Sequence, residues 1–313
     1  MGTAFVFPGQ GSQYVGMGRS LAEAFPEARQ TFQEADEALG RPLSKLIFEG
    51  PEDELRLTQN TQPAILTVSV ACLRALRSAG FPDPVAAAGH SLGEYAALVA
   101  AGALEFADAV RLVEQRGRFM QEAVPVGEGG MAAVIGLDVD AVEALCREVT
   151  RPGAVVEVAN DNCPGQVVVS GHTGAVEALC RRAAEAGARR TVPLAVSAPF
   201  HCSLMGPAAE RLARVLEGVR FADPRFPVYA NVDGRPYRTG SEIPGKLVDQ
   251  VSHRVRWQDC VKGLVEAGAH RFAEVGPGKV LAGLIRRIAR RTEVVGVEGP
   301  EGVAALVPGP SGR

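Results

Sequence analysis

The chain has 313 residues, with 33 Lys and Arg against 36 Asp and Glu, for a net charge of −3. Both signs are mixed along it, which excludes the clustered basic face of a nucleic-acid binder, and no apolar run approaches the roughly 20 residues that span a bilayer. Hydrophobic residues at 46% and charged residues at 22% are those of an ordinary globular enzyme, long enough for one large domain carrying a smaller one. The opening residues Met1-Gly2-Thr3-Ala4-Phe5 lack the basic region of a signal peptide. Six scattered cysteines, with no Cys-x-x-Cys pair, read as reduced thiols and not as disulfides or metal ligands. A cytoplasmic protein with no bound metal is expected.

The first predicted element is a short apolar strand from Thr3 to Phe7, followed at once by the loop Pro8-Gly9-Gln10-Gly11-Ser12-Gln13. Helical patterns then alternate with short apolar runs, which predicts an α/β sheet. Pro63 to Ala79 reads as a helix, with Pro in its first turn and Gly80 just past its end. Val85 to Ala88 reads as a strand, and Ser91 to Ala101 as an Ala-rich helix stopped by Gly102.

The middle of the chain has its own rhythm. Met131–Gly136 is strand-like and Asp138–Val149 helical. Ala154–Ala159 and Gln166–Ser170 are strand-like, separated by an expected turn from Asn160 to Gly165. Ala175–Ala186 is helical and Arg190–Val196 strand-like. This βαββαβ order is the split pattern of a ferredoxin-like unit. It predicts a small domain over 128–197, inserted into a larger α/β domain formed by 1–127 and 198–300. Residues 301–313, rich in Pro and Gly at their end, are expected to form a disordered tail.

Gly89-His90-Ser91-Leu92-Gly93 fits G-x-S-x-G, and an apolar strand precedes it while a helix follows. That strand–turn–helix context is what a nucleophile elbow requires. Two glycines let strand and helix approach around a strained serine, and the helix N-terminus favours developing negative charge. Leu92 N–H is the natural oxyanion donor. The alternative is that Ser91 merely caps its helix.

A serine needs a base at neutral pH. His90 should point away from the tip of the elbow. His172, His253 and His270 lie in polar stretches and read as surface or packing residues. His201 follows Ser197-Ala198-Pro199-Phe200, where the small domain returns to the large one. Such a junction lines a cleft, so His201 ranks first. No acidic third member stands out; Asp161 is possible but lies in the proposed insertion.

The helix Glu105–Glu122 carries Ala109, Leu112, Val113, Phe119 and Met120 on one face, with Arg116 in the middle of that stripe. A buried guanidinium needs a partner. That partner is either an internal carboxylate or a substrate carboxylate held by two parallel hydrogen bonds.

Six motifs in order resemble the malonyl-CoA:acyl carrier protein transacylase family, from about Thr3 to about Ile288. They are Phe7-Pro8-Gly9-Gln10-Gly11-Ser12-Gln13, Gly89-His90-Ser91-Leu92-Gly93-Glu94-Tyr95, Gln115-Arg116-Gly117, Asn162-Cys163-Pro164-Gly165-Gln166-Val167-Val168, Phe200-His201 and Glu274-Val275-Gly276-Pro277-Gly278. The resemblance implies an α/β-hydrolase-like large domain with a ferredoxin-like insertion. It implies a Ser91–His201 dyad whose histidine is oriented by the Gln250 backbone carbonyl. It also implies an oxyanion hole from the Gln10 and Leu92 amides, and Arg116 as the binder of the malonyl carboxylate. Malonyl-CoA and acyl carrier protein would be the partners of a monomer without a resident cofactor, the coenzyme A thioester being substrate. Cys163 departs from the Ser of many relatives. Phe200 stands where related polyketide acyltransferase domains carry an aromatic with malonyl use, which implies a substrate-binding role. The rival expectations are a discrete acyltransferase serving a polyketide synthase, a serine hydrolase such as an esterase, and a docking subunit that keeps only the fold.

Overall fold

The computed structural model describes residues 2–196 and 198–307. Among them are two separate β-sheets. The first is parallel throughout and has the order β7-β2-β1-β8-β9, with β1 Gly2–Phe7, β2 Ala86–Gly89, β7 Val228–Tyr229, β8 Ala269–Val275 and β9 Glu293–Val297. The central strands β1 and β2 are nearly continuous apolar runs because both of their faces are covered, as in parallel sheets generally. Phe5, Phe7, Ala87, Ala273 and Val275 pack into the larger core. Their alternates Ala4, Val6, Ala86, Ala88 and Phe272 face a second core, closed by Trp257 and Leu264. In-register pairing of Phe7 with Gly89 brings the loops after β1 and β2 to the same sheet edge, where α/β folds bind ligands.

The second sheet is antiparallel, with the order β4-β5-β3-β6: β3 Gly129–Ile135, β4 Val156–Cys163, β5 Gln166–His172 and β6 Arg190–Pro193. The helices Val139–Val149 and Thr173–Glu185 bury one of its faces through Val142, Leu145 and Leu179. Met131, Ala133, Ala159 and Val168 on the other face join the main core. A Cβ on Gly129 would lie 2.4 Å from the Pro199 ring, so the two chain crossings between the sheets run in contact. The junction residue Ser197 lies outside the described residues.

Several expectations are corrected. The Asn160–Gly165 turn shrinks to Pro164-Gly165. Asn160, Asp161 and Asn162 extend β4, because Asp161 N–H and Val255 N–H bond across to Val255 O and Ala159 O at 2.9 and 2.8 Å. The helix expected from Pro63 runs over Thr58–Ser78, its extra turn held by the Asn60 and Thr61 amides on Leu57 O, both at 2.8 Å. The helix expected from Ser91 runs over Gly93–Ala100, because Ser91 itself is left-handed. The strand expected to reach Val196 ends at Pro193. Beyond it Leu194, Ala195 and Val196 line a cleft. The tail does not begin at 301: Pro300–Leu306 is a helix whose Val303 and Leu306 are buried in the main core. Residues 308–313 lie outside the described residues.

Candidate active site

Strand β2 ends in Gly89, and the backbone turns through His90 and Ser91 into the helix Gly93–Ala100. A Cβ on Gly89 would sit 1.8 Å from the Gly93 carbonyl carbon, and one on Gly93 would sit 2.1 Å from Phe7 O. Only glycine allows that approach, which pushes Ser91 outward with φ 51°. His201 has φ 60°, and among the described residues these two are the non-glycine residues with positive φ. Each such conformation costs on the order of 1–3 kcal/mol, so the surroundings must hold both in place.

They hold each other. Ser91 Oγ lies 2.7 Å from His201 Nε2, and His201 Nδ1 donates to the Gln250 backbone carbonyl at 2.8 Å. That bond sets the tautomer with Nε2 free to accept the serine proton. Among the described residues no carboxylate takes this place: the acceptor at Nδ1 is the Gln250 carbonyl, and Asp161 lies on β4 with its backbone amide bonded to Val255 O. Burial and the nearby Arg116 charge push the imidazole down to about 3, so it is neutral at pH 7.

Arg116 is 1% exposed. Gly117 lets its helix, Phe106–Glu122, approach the Thr58–Ser78 helix, since a Cβ there would meet Thr58 O at 2.6 Å. Nη1 donates to Gln62 Oε1 at 2.8 Å, and Nη2 donates to Gln250 Oε1 at 2.8 Å and Ser91 Oγ at 3.1 Å. All three acceptors are neutral. Nε has no partner among the described residues. The internal ion pair is therefore absent among them, and the guanidinium faces the nucleophile with its charge unneutralised by direct contact.

Gln10 and Leu92 border the same cleft as Ser91, Arg116, Phe200 and His201, a cavity of about 810 Å³. Gly9 brings Gln10 there: a Cβ on it would lie 2.5 Å from His90 O. His90 points away, bonding Asn162 Oδ1 at 2.8 Å and packing on Trp257. His253 and His270 are exposed, and His172 Nδ1 accepts the Val155 amide at 3.0 Å.

Sequence reasoning missed the residues beneath this surface. Asn231 Oδ1 accepts the Ser91 amide at 2.6 Å, and its Nδ2 donates to Gly89 O at 2.7 Å, clamping the elbow. Glu94, fully buried, accepts Asn231 N–H at 3.0 Å, Gln250 Nε2 at 2.7 Å and the Tyr237 hydroxyl. A lone carboxylate in the apolar helix Gly93–Ala100 was the one local signal for it. Among the described residues no cluster of three or more His, Cys, Asp or Glu could hold a metal ion. Among the described residues no helix is long and apolar enough to cross a membrane.

The acyl transferase domain family matches residues 4–305. Over 304 residues the chain is 49% identical to the malonyl CoA-acyl carrier protein transacylase of Bacillus subtilis, covering 97% of this chain and 96% of that protein. The chain belongs to the malonyl-CoA:acyl carrier protein transacylase family. The transacylase of Coxiella burnetii superposes with a TM-score of 0.96 at 45% identity, covering 98% of this chain and 97% of that one. A malonyl-transacylase solved in complex with a type II PKS acyl-carrier protein superposes with a TM-score of 0.95 at 47% identity, covering 98% and 99%. The transacylase family thus spans both sheets of the molecule, and the six motifs belong to one continuous match.

Proposed function

We propose that this chain transfers a malonyl group from malonyl-CoA to the phosphopantetheine thiol of acyl carrier protein through a malonyl ester on Ser91, supplying extender units for fatty acid synthesis. The observation that carries the reading is the convergence on Ser91 Oγ of a neutral imidazole at 2.7 Å and a guanidinium at 3.1 Å. A neutral ester offers no anion to that guanidinium, which disfavours an esterase.

His201 takes the serine proton as Oγ attacks the thioester carbonyl. The Leu92 and Gln10 amides hold the resulting oxyanion; neither has an acceptor among the described residues. The tetrahedral intermediate collapses, and His201 returns the proton to the coenzyme A thiolate. The carrier thiol then gives its proton to His201, attacks the Ser91 ester, and leaves as malonyl thioester with Ser91 reprotonated. Arg116 pairs with the malonyl carboxylate, its Nε open to one oxygen. Phe200, buried on the cleft wall, limits the acyl group.

We also propose that 1–127 and 198–300 form an α/β-hydrolase-like unit and 128–197 a ferredoxin-like insertion; the parallel sheet with its elbow and the antiparallel order β4-β5-β3-β6 support this. Free cysteines and a coenzyme A substrate favour a cytoplasmic location. The second reading, a polyketide carrier as partner, is favoured by the 47% identity to the complexed transacylase. The test is intact mass after malonyl-CoA, then after phosphopantetheinylated carrier protein. One malonyl adduct should map to the Ser91 peptide and discharge onto the carrier. An adduct on a cysteine, or one that survives Ser91→Ala, would sink the assignment.

A further inference from the structure

Arg116 is one buried cation between two places for an anion. One is the cleft over Ser91, where a substrate carboxylate would sit. The other is Glu94, which the guanidinium reaches through the Gln250 side chain: Nη2 donates to Gln250 Oε1, and Gln250 Nε2 donates to Glu94 Oε2 at 2.7 Å. With the cleft free of substrate, Glu94 and Arg116 balance. When malonyl-CoA binds, the site holds two carboxylates for one guanidinium, and that guanidinium and Glu94 are both buried. Like charges crowded in such a place favour protonation of one of them.

We infer that Glu94 is a specificity-determining positioning residue, ionised as the relayed counter-charge of Arg116 in the free enzyme and protonated from solvent when the malonyl carboxylate pairs with Arg116. This rests on the malonyl-transfer reading of the site. The hydrogen bonding around Glu94 suits both states. Oε2 accepts from Asn231 N–H and Gln250 Nε2, which can only donate. Among the described residues Oε1 meets only the Tyr237 hydroxyl, which donates to the carboxylate and can accept from the carboxyl once its own proton turns elsewhere. A proton therefore has one place to go, and the Gln250 link to Arg116 survives its arrival.

The neighbours leave Glu94 as the group that titrates. Burial lifts its carboxyl to about 7, against the pull of its donors and of Arg116. On its own helix, burial raises the Tyr95 hydroxyl to about 12. Tyr237, from the loop after β7, and Cys260, from the helix Trp257–Glu266, are held well above their ordinary values by burial and by Glu94 itself. Behind Tyr237, Lys246 pairs with Asp233 at 2.9 Å. Arg77 and Arg225 bind the Ala100 carbonyl at the far end of the helix. His201 is already neutral. The sign follows. Malonyl-CoA binds with proton uptake above about pH 7 and with none well below it, so its affinity weakens as pH rises through that region. Acetyl-CoA, with no carboxylate, takes up none.

The experiment is calorimetric binding of malonyl-CoA and acetyl-CoA to Ser91→Ala, which blocks turnover, at about pH 7.5 in two buffers of different ionisation enthalpy. It is repeated in Ser91→Ala with Glu94→Gln. The expected result is uptake of a fraction of a proton with malonyl-CoA, none with acetyl-CoA, and none with malonyl-CoA in the Glu94→Gln protein. Difference infrared spectra of the Ser91→Ala protein should show a protonated-carboxyl band that grows with malonyl-CoA alone; this arm needs no Glu94 variant to fold. Uptake that is equal for both thioesters, that persists in Glu94→Gln, or that is absent while malonyl-CoA binds overturns the inference and leaves the transfer reading standing. Failure of malonyl-CoA to bind at all overturns the transfer reading itself. A glutamate that only braced the fold would leave proton stoichiometry unchanged.

Discussion

The two sheets contribute to the cleft in different ways. The elements built around the parallel sheet carry Ser91, His201, Arg116, Gln250, Asn231 and Glu94, and these are tied to one another by hydrogen bonds. The antiparallel sheet and the segment that follows β6 offer Met131, Asn160, Leu194, Ala195 and Val196 to the same cleft, with no bond to the dyad among the described residues. The difference teaches that chemistry needs positions fixed to fractions of an ångström, whereas a wall needs only shape. The dyad also stores backbone strain at Ser91 and His201, and only a cross-braced region can keep it there.

If that division is right, damage to the braced region should be far costlier than damage to the wall. The largest effect is at the base: His201→Ala should slow acylation of Ser91 about a hundredfold or more, as for loss of a general base. His172→Ala, His253→Ala and His270→Ala should change it little. Pre-steady-state quench with malonyl-CoA measures all four, and a crippled variant among the last three would mean the wrong histidine was chosen.

Next comes Arg116. A charge-assisted hydrogen bond contributes about 1.5–3 kcal/mol net, and about 1.4 kcal/mol is tenfold. Arg116→Ala should therefore cut kcat/KM for malonyl-CoA by about ten- to a hundredfold, while acetyl-CoA, relieved of facing an unpaired guanidinium, holds or gains. Arg116→Lys keeps the charge without the planar fork and should fall between. Equal losses for both thioesters would make Arg116 a brace and nothing more.

The smallest effect should come from the wall. Met131→Ala removes apolar surface that is 6% exposed. KM for malonyl-CoA should rise by no more than about fivefold, with kcat held, since the change touches binding and not the dyad. A fall in kcat comparable to that of His201→Ala would erase the distinction between the two regions.

The sequence by itself determined the pieces whose cause is local. Paired glycines around a serine, between an apolar strand and a helix, let those elements close on a tight turn, and they placed the elbow. A lone arginine on an apolar helical stripe announced a buried charge. The alternation of periods over 128–197 announced the order of the second sheet's elements. Its errors were local too: the polar run Asn160-Asp161-Asn162 looked like a turn, whereas it pairs with β5 on one side and with Val255, far along the chain, on the other.

Only the tertiary structure decided what the charges answer to. Gln250 meets Arg116 across 134 residues of chain, Tyr237 meets Glu94 across 143, and Gln250 meets Glu94 across 156. Helical and strand periodicities report which way a side chain faces, not what arrives opposite it from a distant segment. Whether a buried charge pairs directly, through an amide, or waits for a ligand is settled by that arrival, because desolvation makes the identity of the nearest partner outweigh everything encoded nearby.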